Sequence, residues 1–388
     1  IPEANAAVAA FCNQYADKQY FDNVDWMSDM AFRILEDYGS QGRIAPGKLT
    51  QANEDALFNL FWQYAKRDSD LAFTSTATTN IWSVANGTEN LNAMNIVTLW
   101  HAAKLLRNHP AYAGLTYDNG VTPEAYYQAS GAYYKEWLRE RARKGMLVEF
   151  SSVGYNPVTV KGIYNFVDYA EDAELRELAR KWLDLFWAAW GQEQLNGVKG
   201  GGMGRTYQGQ DSMRGWNNPL SDIFWCYTGR GQAPTPVNNV LTYLASSYRP
   251  SALVVDLGTD IEGRGSYINI ERKMGRAING TQDCDLNETF TRYTYVTPDY
   301  VLGTFHVGNW RYWLWQMISS QNRWHGAIFN SHPDARIFFQ CSVTPSGNLN
   351  YNQHWSVQSR NAIIVQKLNN NGTESTRYAK YAGEMKVW

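Results

Sequence analysis

The chain has 388 residues and a formal net charge of −2, from 35 Lys plus Arg against 37 Asp plus Glu. That balance leaves no global basic field for nucleic acid, and no apolar run is long enough to cross a bilayer. Hydrophobic residues make up 44%, enough to bury a substantial core in one large domain.

In chain order, the first two-thirds read as helices. Trp26, Met27, Met30, Ala31, Ile34, Leu35 and Tyr38 recur at the helical period, as do Leu57, Leu60, Phe61 and Tyr64. Ile96, Leu99, Trp100 and Ala103 follow, then Tyr127, Tyr134, Trp137 and Leu138. The clearest pattern is Leu175, Leu178, Ala179, Trp182, Leu183 and Phe186, entered through Asp172 as N-cap. Val237, Val240, Leu241 and Leu244 predict a further helix. After about residue 250 the texture changes, and 252–257, 266–270, 335–341 and 361–368 read as strands rich in Val, Ile and Phe. The expected fold is mainly α, helical hairpins packed as an (α/α) toroid, with minor β structure toward the C-terminus. No composition break marks a second domain, so residues 1–388 are expected to form one unit, with strands or extended loops added from about 250 onward.

Cys12, Cys226, Cys284 and Cys341 are even in number and include no CxxC pair, which predicts two disulfides rather than a metal site. Sequons stand at Asn86, Asn279, Asn287 and Asn371, and the chain opens at Ile1. Together these features predict a secreted, extracellular glycoprotein, with monomer the default. The 16 Trp and 25 Tyr exceed what a core alone calls for and suit a sugar-binding cleft.

Four polar, glycine-bearing segments carry the candidate chemistry. In the first, Glu89, Asn90 and Asn92 precede a helix and could cap it or bind a sugar carboxylate or hydroxyl. The second brings Glu149, Ser151, Ser152 and Tyr155 onto an irregular stretch before the helix of Tyr164 and Asn165. The third is the densest, with Gly200, Gly201, Gly202 and Gly204 followed at once by Arg205 and Tyr207. It lacks the GxxxxGK[ST] order of a phosphate loop. The fourth runs from Arg292 through Tyr293, Tyr295 and Tyr300 to His306, with His325 beyond it. There is no HExxH, GxSxG or EF-hand loop, and no cofactor or metal is expected.

β-Elimination at a uronic acid needs a group to neutralise the sugar carboxylate, a base for the C5 proton and an acid for the leaving O4. Tyr can be both base and acid when cations lower its pKa, and Arg205 lies two residues from Tyr207. A glycoside hydrolase would instead need a carboxylate pair, Glu149 with Glu89 or Asp211. A non-catalytic glycan-binding protein would need neither.

The Thr88-Glu89-Asn90 element, the run from Glu149 through Tyr155 to Tyr164-Asn-Phe-Val-Asp-Tyr169, the segment ending Gly204-Arg-Thr-Tyr207, and Tyr295 to Gly303 occur in an order that resembles the α/α-toroid polysaccharide lyases. The resemblance spans roughly residues 80 to 335 and is greatest to polysaccharide lyase family 38, the glucuronan and alginate lyases. It implies a lyase acting on a β-1,4-linked polyuronate, with Tyr207 as base and acid and Arg205 as neutraliser or activator. Glu89, Asn90, Glu149, Tyr155, Arg292, Tyr300 and His306 would bind the acidic polysaccharide. In related toroid proteins His often follows the Glu-Asn pair; Leu91 stands there, which shifts the base role to Tyr.

Overall fold

A computed structural model describes residues 1–16, 23–69, 89–143, 145–147, 149, 151–203, 215–216, 218–234, 240–274, 289–307, 324–340, 354–367 and 386–387. The described residues are mostly helical up to residue 264 and form β structure from residue 267 onward.

The helices are α1 (Pro2–Ala16), α2 (Val24–Tyr38), α3 (Gln51–Asp68), α4 (Glu89–Leu106), α5 (Pro123–Arg143), α6 (Tyr155–Tyr169), α7 (Ala173–Gly191), α8 (Pro219–Thr228), α9 (Leu241–Ala245), α10 (Ala252–Thr259) and α11 (Ile261–Arg264). Their ends follow local chemistry. Thr50 caps α3 by accepting the Asn53 N–H, and Asp172 caps α7 by accepting from Glu174 N at 2.8 Å and Leu175 N at 3.3 Å, as its sequence position predicts. Asn218 caps α8 ahead of Pro219, and Gly229 in the left-handed region ends it.

α4 and α6 are buried on nearly every face, as helices enclosed by other helices are. They pack on one another and both pack on α2, while α3 and α5 lie against α4, and α7 lies against α5 and α6. Gly162 shows how close α4 and α6 come: a Cβ there would meet Val97 Cγ1 at 2.7 Å. The large helical core includes Trp100, Tyr134, Tyr164, Phe166, Trp182 and Trp187, and much of the aromatic excess is therefore packing. Trp187 Nε1 donates to Tyr164 Oη at 2.7 Å, which pairs two of the polar tips inside this core.

Between α7 and α8 lies a short hairpin, β1 (Gln194–Leu195) with β2 (Val198–Lys199). Six antiparallel strands form the main sheet in the order β10-β7-β6-β5-β4-β3: β3 (Tyr267–Met274), β4 (Thr289–Val296), β5 (Tyr300–Val307), β6 (Gly326–Phe329), β7 (Arg336–Gln340) and β10 (Lys386–Val387). β8 (His354–Ser359) and β9 (Ala362–Lys367) pair separately, and β8 packs on β5. The inner sheet face places Val296, Val301, Ile328 and Phe338 with Leu195, Val198, Met203 and Trp324 in a second core.

Strands expected at 266–270, 335–341 and 361–368 are present as β3, β7 and β9. The strand expected at 252–257 is instead α10. Its Val254 is buried and its Gly258 packs closely against Phe224, where a Cβ would lie 2.6 Å from Cζ. Helix packing outweighed the β-branched run. The helix expected around 237–244 begins only at Leu241, with 235–239 outside the described residues. Cys12 and Cys226 are both free thiols, so the expected two-disulfide framework does not include them; Cys284, Cys341 and the four sequon asparagines lie outside the described residues. Burial pushes the Cys12 thiol up to about 11, the behaviour of an inert core residue. No helix among the described residues is long and apolar enough to cross a membrane.

Candidate functional site

Four of the residues expected to bind substrate come together where α4 and α6 begin. Glu89 and Asn90 form the first turn of α4 rather than preceding it, and both are buried. The Glu89 carboxylate is ion-paired with the equally buried Arg141 near the end of α5. It also accepts the backbone N–H of Glu149 at 3.0 Å. The Glu149 carbonyl accepts from Asn156 Nδ2 at 2.7 Å and from the backbone N–H of Ser152 at 3.1 Å. Tyr155, half-buried, opens α6, and its carbonyl accepts from Thr159 Oγ1 at 2.9 Å. Glu149 and the start of α6 are thus tied to the start of α4 through a buried charge pair, with Met146 and Ser151 held at positive φ.

One turn further into the protein lies a half-open hollow of about 10 Å³, room for a single water-sized group. Ala93 and Met94 line it, one turn below Glu89 and Asn90 on the same face of α4; Val158 and Thr159 line it one turn below Tyr155 on α6. α2 contributes Asp25, Ser28 and Asp29, at the spacing that puts side chains on one helix face. The N-terminal halves of α2 and α4 thus meet the first turns of α6 here, and helix N-termini favour negative or hydrogen-bond-accepting partners.

The charges in the hollow are unequal. Asp29 is neutralised by Lys161 Nζ at 2.8 Å and accepts from Thr242. Asp25, only 7% exposed, has no cation bonded to it, and burial pushes its carboxyl up to about 6 even though Lys161 pulls the other way. Asp25 Oδ1 and Asn165 Oδ1 both lack a hydrogen-bond partner. Asn165 is held from its amide nitrogen, 3.5 Å from both the Asp29 carbonyl and His101 Nδ1. His101 is kept neutral by burial, while its Nε2 meets Glu36 at 2.9 Å, which leaves Nδ1 as the acceptor facing Asn165. Burial works against ionisation of Glu36, but His101 and Lys104 outweigh it and bring its carboxyl down to about 2.

Asp25, Asp29 and Lys161 were not singled out by sequence, and Asn165 was read only as part of a helix. The available signal was their polarity on otherwise apolar helix faces: Asp25 and Asp29 beside the stripe of Ala31 and Leu35, and Lys161 between Val160 and Ile163.

Arg292, Tyr300 and His306 do not belong to this site. Arg292 is fully buried and donates Nε to the Gly202 carbonyl at 2.6 Å, Nη1 to Glu271 at 2.6 Å and Nη2 to Glu193. Lys199 Nζ joins at 3.0 Å from Glu193. A guanidinium so enclosed organises the junction between the helical body and the sheet and has no path to a substrate. Gly201 and Gly202 are required by that junction: a Cβ on Gly201, at φ +79°, would lie 2.7 Å from Arg292 Nη2, and one on Gly202 would lie 2.2 Å from the Thr304 carbonyl. Tyr300 stands on the outer sheet face between Tyr295 and Phe329, with ring centroids 6.1 and 6.4 Å away. His306 Nδ1 is 3.2 Å from the Ser356 carbonyl oxygen, and buried His325 accepts the Phe305 N–H at 3.2 Å, which makes both parts of the β5–β8 contact. Arg205, Tyr207 and Asp211 lie outside the described residues.

Among the described residues no group of three or more His, Cys, Asp or Glu is placed to hold a metal ion. Comparison with protein-family models, with curated proteins and with solved structures gives no match.

Proposed function

We propose that this protein is a secreted lyase that cleaves a β-1,4-linked polyuronate, glucuronan or alginate, by β-elimination on an (α/α) toroid. The observation that carries this is the convergence of Glu89, Asn90, Glu149 and Tyr155, spread over more than sixty residues of sequence, where α4 and α6 begin, one helical turn from the hollow between α2, α4 and α6. Helix N-termini, together with the Asn90 amide, suit a sugar carboxylate. Tyr207 serves as base and acid, with Arg205 neutralising the uronate carboxylate or lowering the Tyr pKa.

The hydrolase alternative is weakened by Glu89. Its carboxylate is engaged by Arg141 and by the Glu149 backbone, which makes it an anchor rather than a proton donor. Incubation with glucuronan, polymannuronate and polyguluronate should produce the ultraviolet absorbance of an unsaturated uronate, and Tyr207→Phe should abolish it. Reducing ends without that absorbance would establish hydrolysis instead. Absence of both products with every polyuronate would leave no catalytic role.

A further inference from the structure

We infer that Arg141 is a positioning residue: through Glu89 it holds Met146, Glu149 and the first turn of α6 in the conformation that presents Tyr155 to an acidic polysaccharide. This deepens the lyase proposal and rests on it for the identity of the ligand.

Arg141 is 1% exposed and touches each part of the arrangement. Its backbone carbonyl accepts the Met146 N–H at 2.6 Å, and its Nη1 reaches the Met146 carbonyl oxygen at 3.4 Å. The same Nη1 pairs with one carboxylate oxygen of Glu89, whose other oxygen accepts the Glu149 N–H at 3.0 Å. From Glu149 the path continues through its carbonyl to Asn156 Nδ2 at 2.7 Å and to the Ser152 N–H at 3.1 Å. Ser152 Oγ in turn accepts the Tyr155 N–H at 3.4 Å. The guanidinium is itself fixed over the Trp137 ring, 4.9 Å from its centroid. Arg141 therefore reaches Tyr155 only through other groups, which separates it from a substrate contact.

The backbone that it holds is not a relaxed one. Met146 and Ser151, neither of them glycine, stand at φ +65° and +59° on either side of Glu149. Such conformations cost free energy, persist where the surroundings impose them and gather at binding sites. Charge-assisted hydrogen bonds from a buried pair are strong enough to impose them. Stability alone does not account for the pair, since apolar side chains of similar volume join two helices as well or better. Without Arg141, Glu89 keeps an uncompensated charge in the interior and turns toward water, and the Glu149 N–H loses its acceptor.

The test measures KM and kcat by the ultraviolet assay, and the dissociation constant for polymannuronate by calorimetry, on the full chain and on its variants Arg141→Gln and Arg141→Lys below the onset of each melt. Arg141→Gln should raise the dissociation constant and KM by about tenfold or more and change kcat much less, the factor expected when one charge-assisted hydrogen bond no longer holds the binding conformation. Arg141→Lys keeps a cation for Glu89 and should recover most of that loss. If Arg141→Gln does not fold, the double variant Glu89→Gln/Arg141→Gln takes its place, because it leaves no buried charge unpaired. A folded variant without Arg141 that binds as the wild type does would overturn the inference, and so would a Lys variant no better than the Gln one. Wild-type binding without the unsaturated product would overturn the lyase reading alone, with the dissociation constants still deciding the role of Arg141. Failure of the wild type to bind polymannuronate, polyguluronate or glucuronan would overturn the two together.

Discussion

Replacing Asp25 by Asn should stabilise the protein at neutral pH. Burial raises this carboxyl from the ordinary 3.8 to about 6, despite Lys161 nearby. At 1.36 kcal/mol per pH unit, the folded state therefore gives up about 3 kcal/mol to keep Asp25 ionised. The sign follows from proton binding. Between pH 4 and 6 the folded chain holds a proton that the unfolded chain has lost, so stability falls as pH rises through that window. The cost is absent below it and complete above it. Asn keeps the size and one acceptor oxygen of Asp without the buried charge. For 388 residues the unfolding entropy is about 0.8 kcal/mol per kelvin, so the gain corresponds to roughly 3–4 °C in Tm at pH 7. Differential scanning calorimetry of both proteins at pH 4 and pH 7 should show a difference that appears only at the higher pH. An equal difference at both pH values, or a less stable variant at pH 7, would refute the account. A residue that lowers stability yet lines a hollow is what a binding function accounts for.

The remaining predictions concern the scaffold. Arg292→Gln should destabilise the protein by about 3–5 kcal/mol in urea denaturation, because Glu193 would be left buried without its guanidinium. The folded fraction of that variant should bind polyuronate as the wild type does, which separates an anchor from a substrate contact. Gly202→Ala should cost about 2–3 kcal/mol by the same measurement, since its new methyl would overlap the Thr304 backbone. Under native conditions a thiol reagent should modify half-exposed Cys226 rapidly and buried Cys12 only on unfolding, and a disulfide at either position would contradict this.

Most of the helical body was legible because its signal is local. The stripes around Trp26, Leu57, Ile96, Tyr127 and Leu175 each correspond to an observed helix, and Asp172 caps the one it was expected to cap. Glu89, Asn90, Glu149 and Tyr155 were legible as a set because short polar segments between apolar stripes stand out. Their grouping where α4 and α6 begin was not, since it depends on Arg141, which reads as an ordinary charged residue at the end of an amphipathic helix. Arg292 misled for the opposite reason. Its polar, aromatic neighbourhood resembles a cleft wall, whereas the partners that enclose it, Glu193 and Glu271, come from elements that only the fold brings near.

By itself, then, the sequence determined the helical periods, the Asp172 cap, a change to strands in the last third of the chain, read from about residue 250 and found from 267, and the absence of a long apolar span. Each of these is decided by residues within a turn or two of one another. The tertiary structure alone decided that 252–257 is helix, that Arg292 is a buried anchor and that Asp25 and Asn165 face the same hollow. Those outcomes depend on desolvation and on contacts between chain segments far apart, and a burial-raised carboxyl or an unpartnered amide oxygen exists only once the surrounding helices have closed over it.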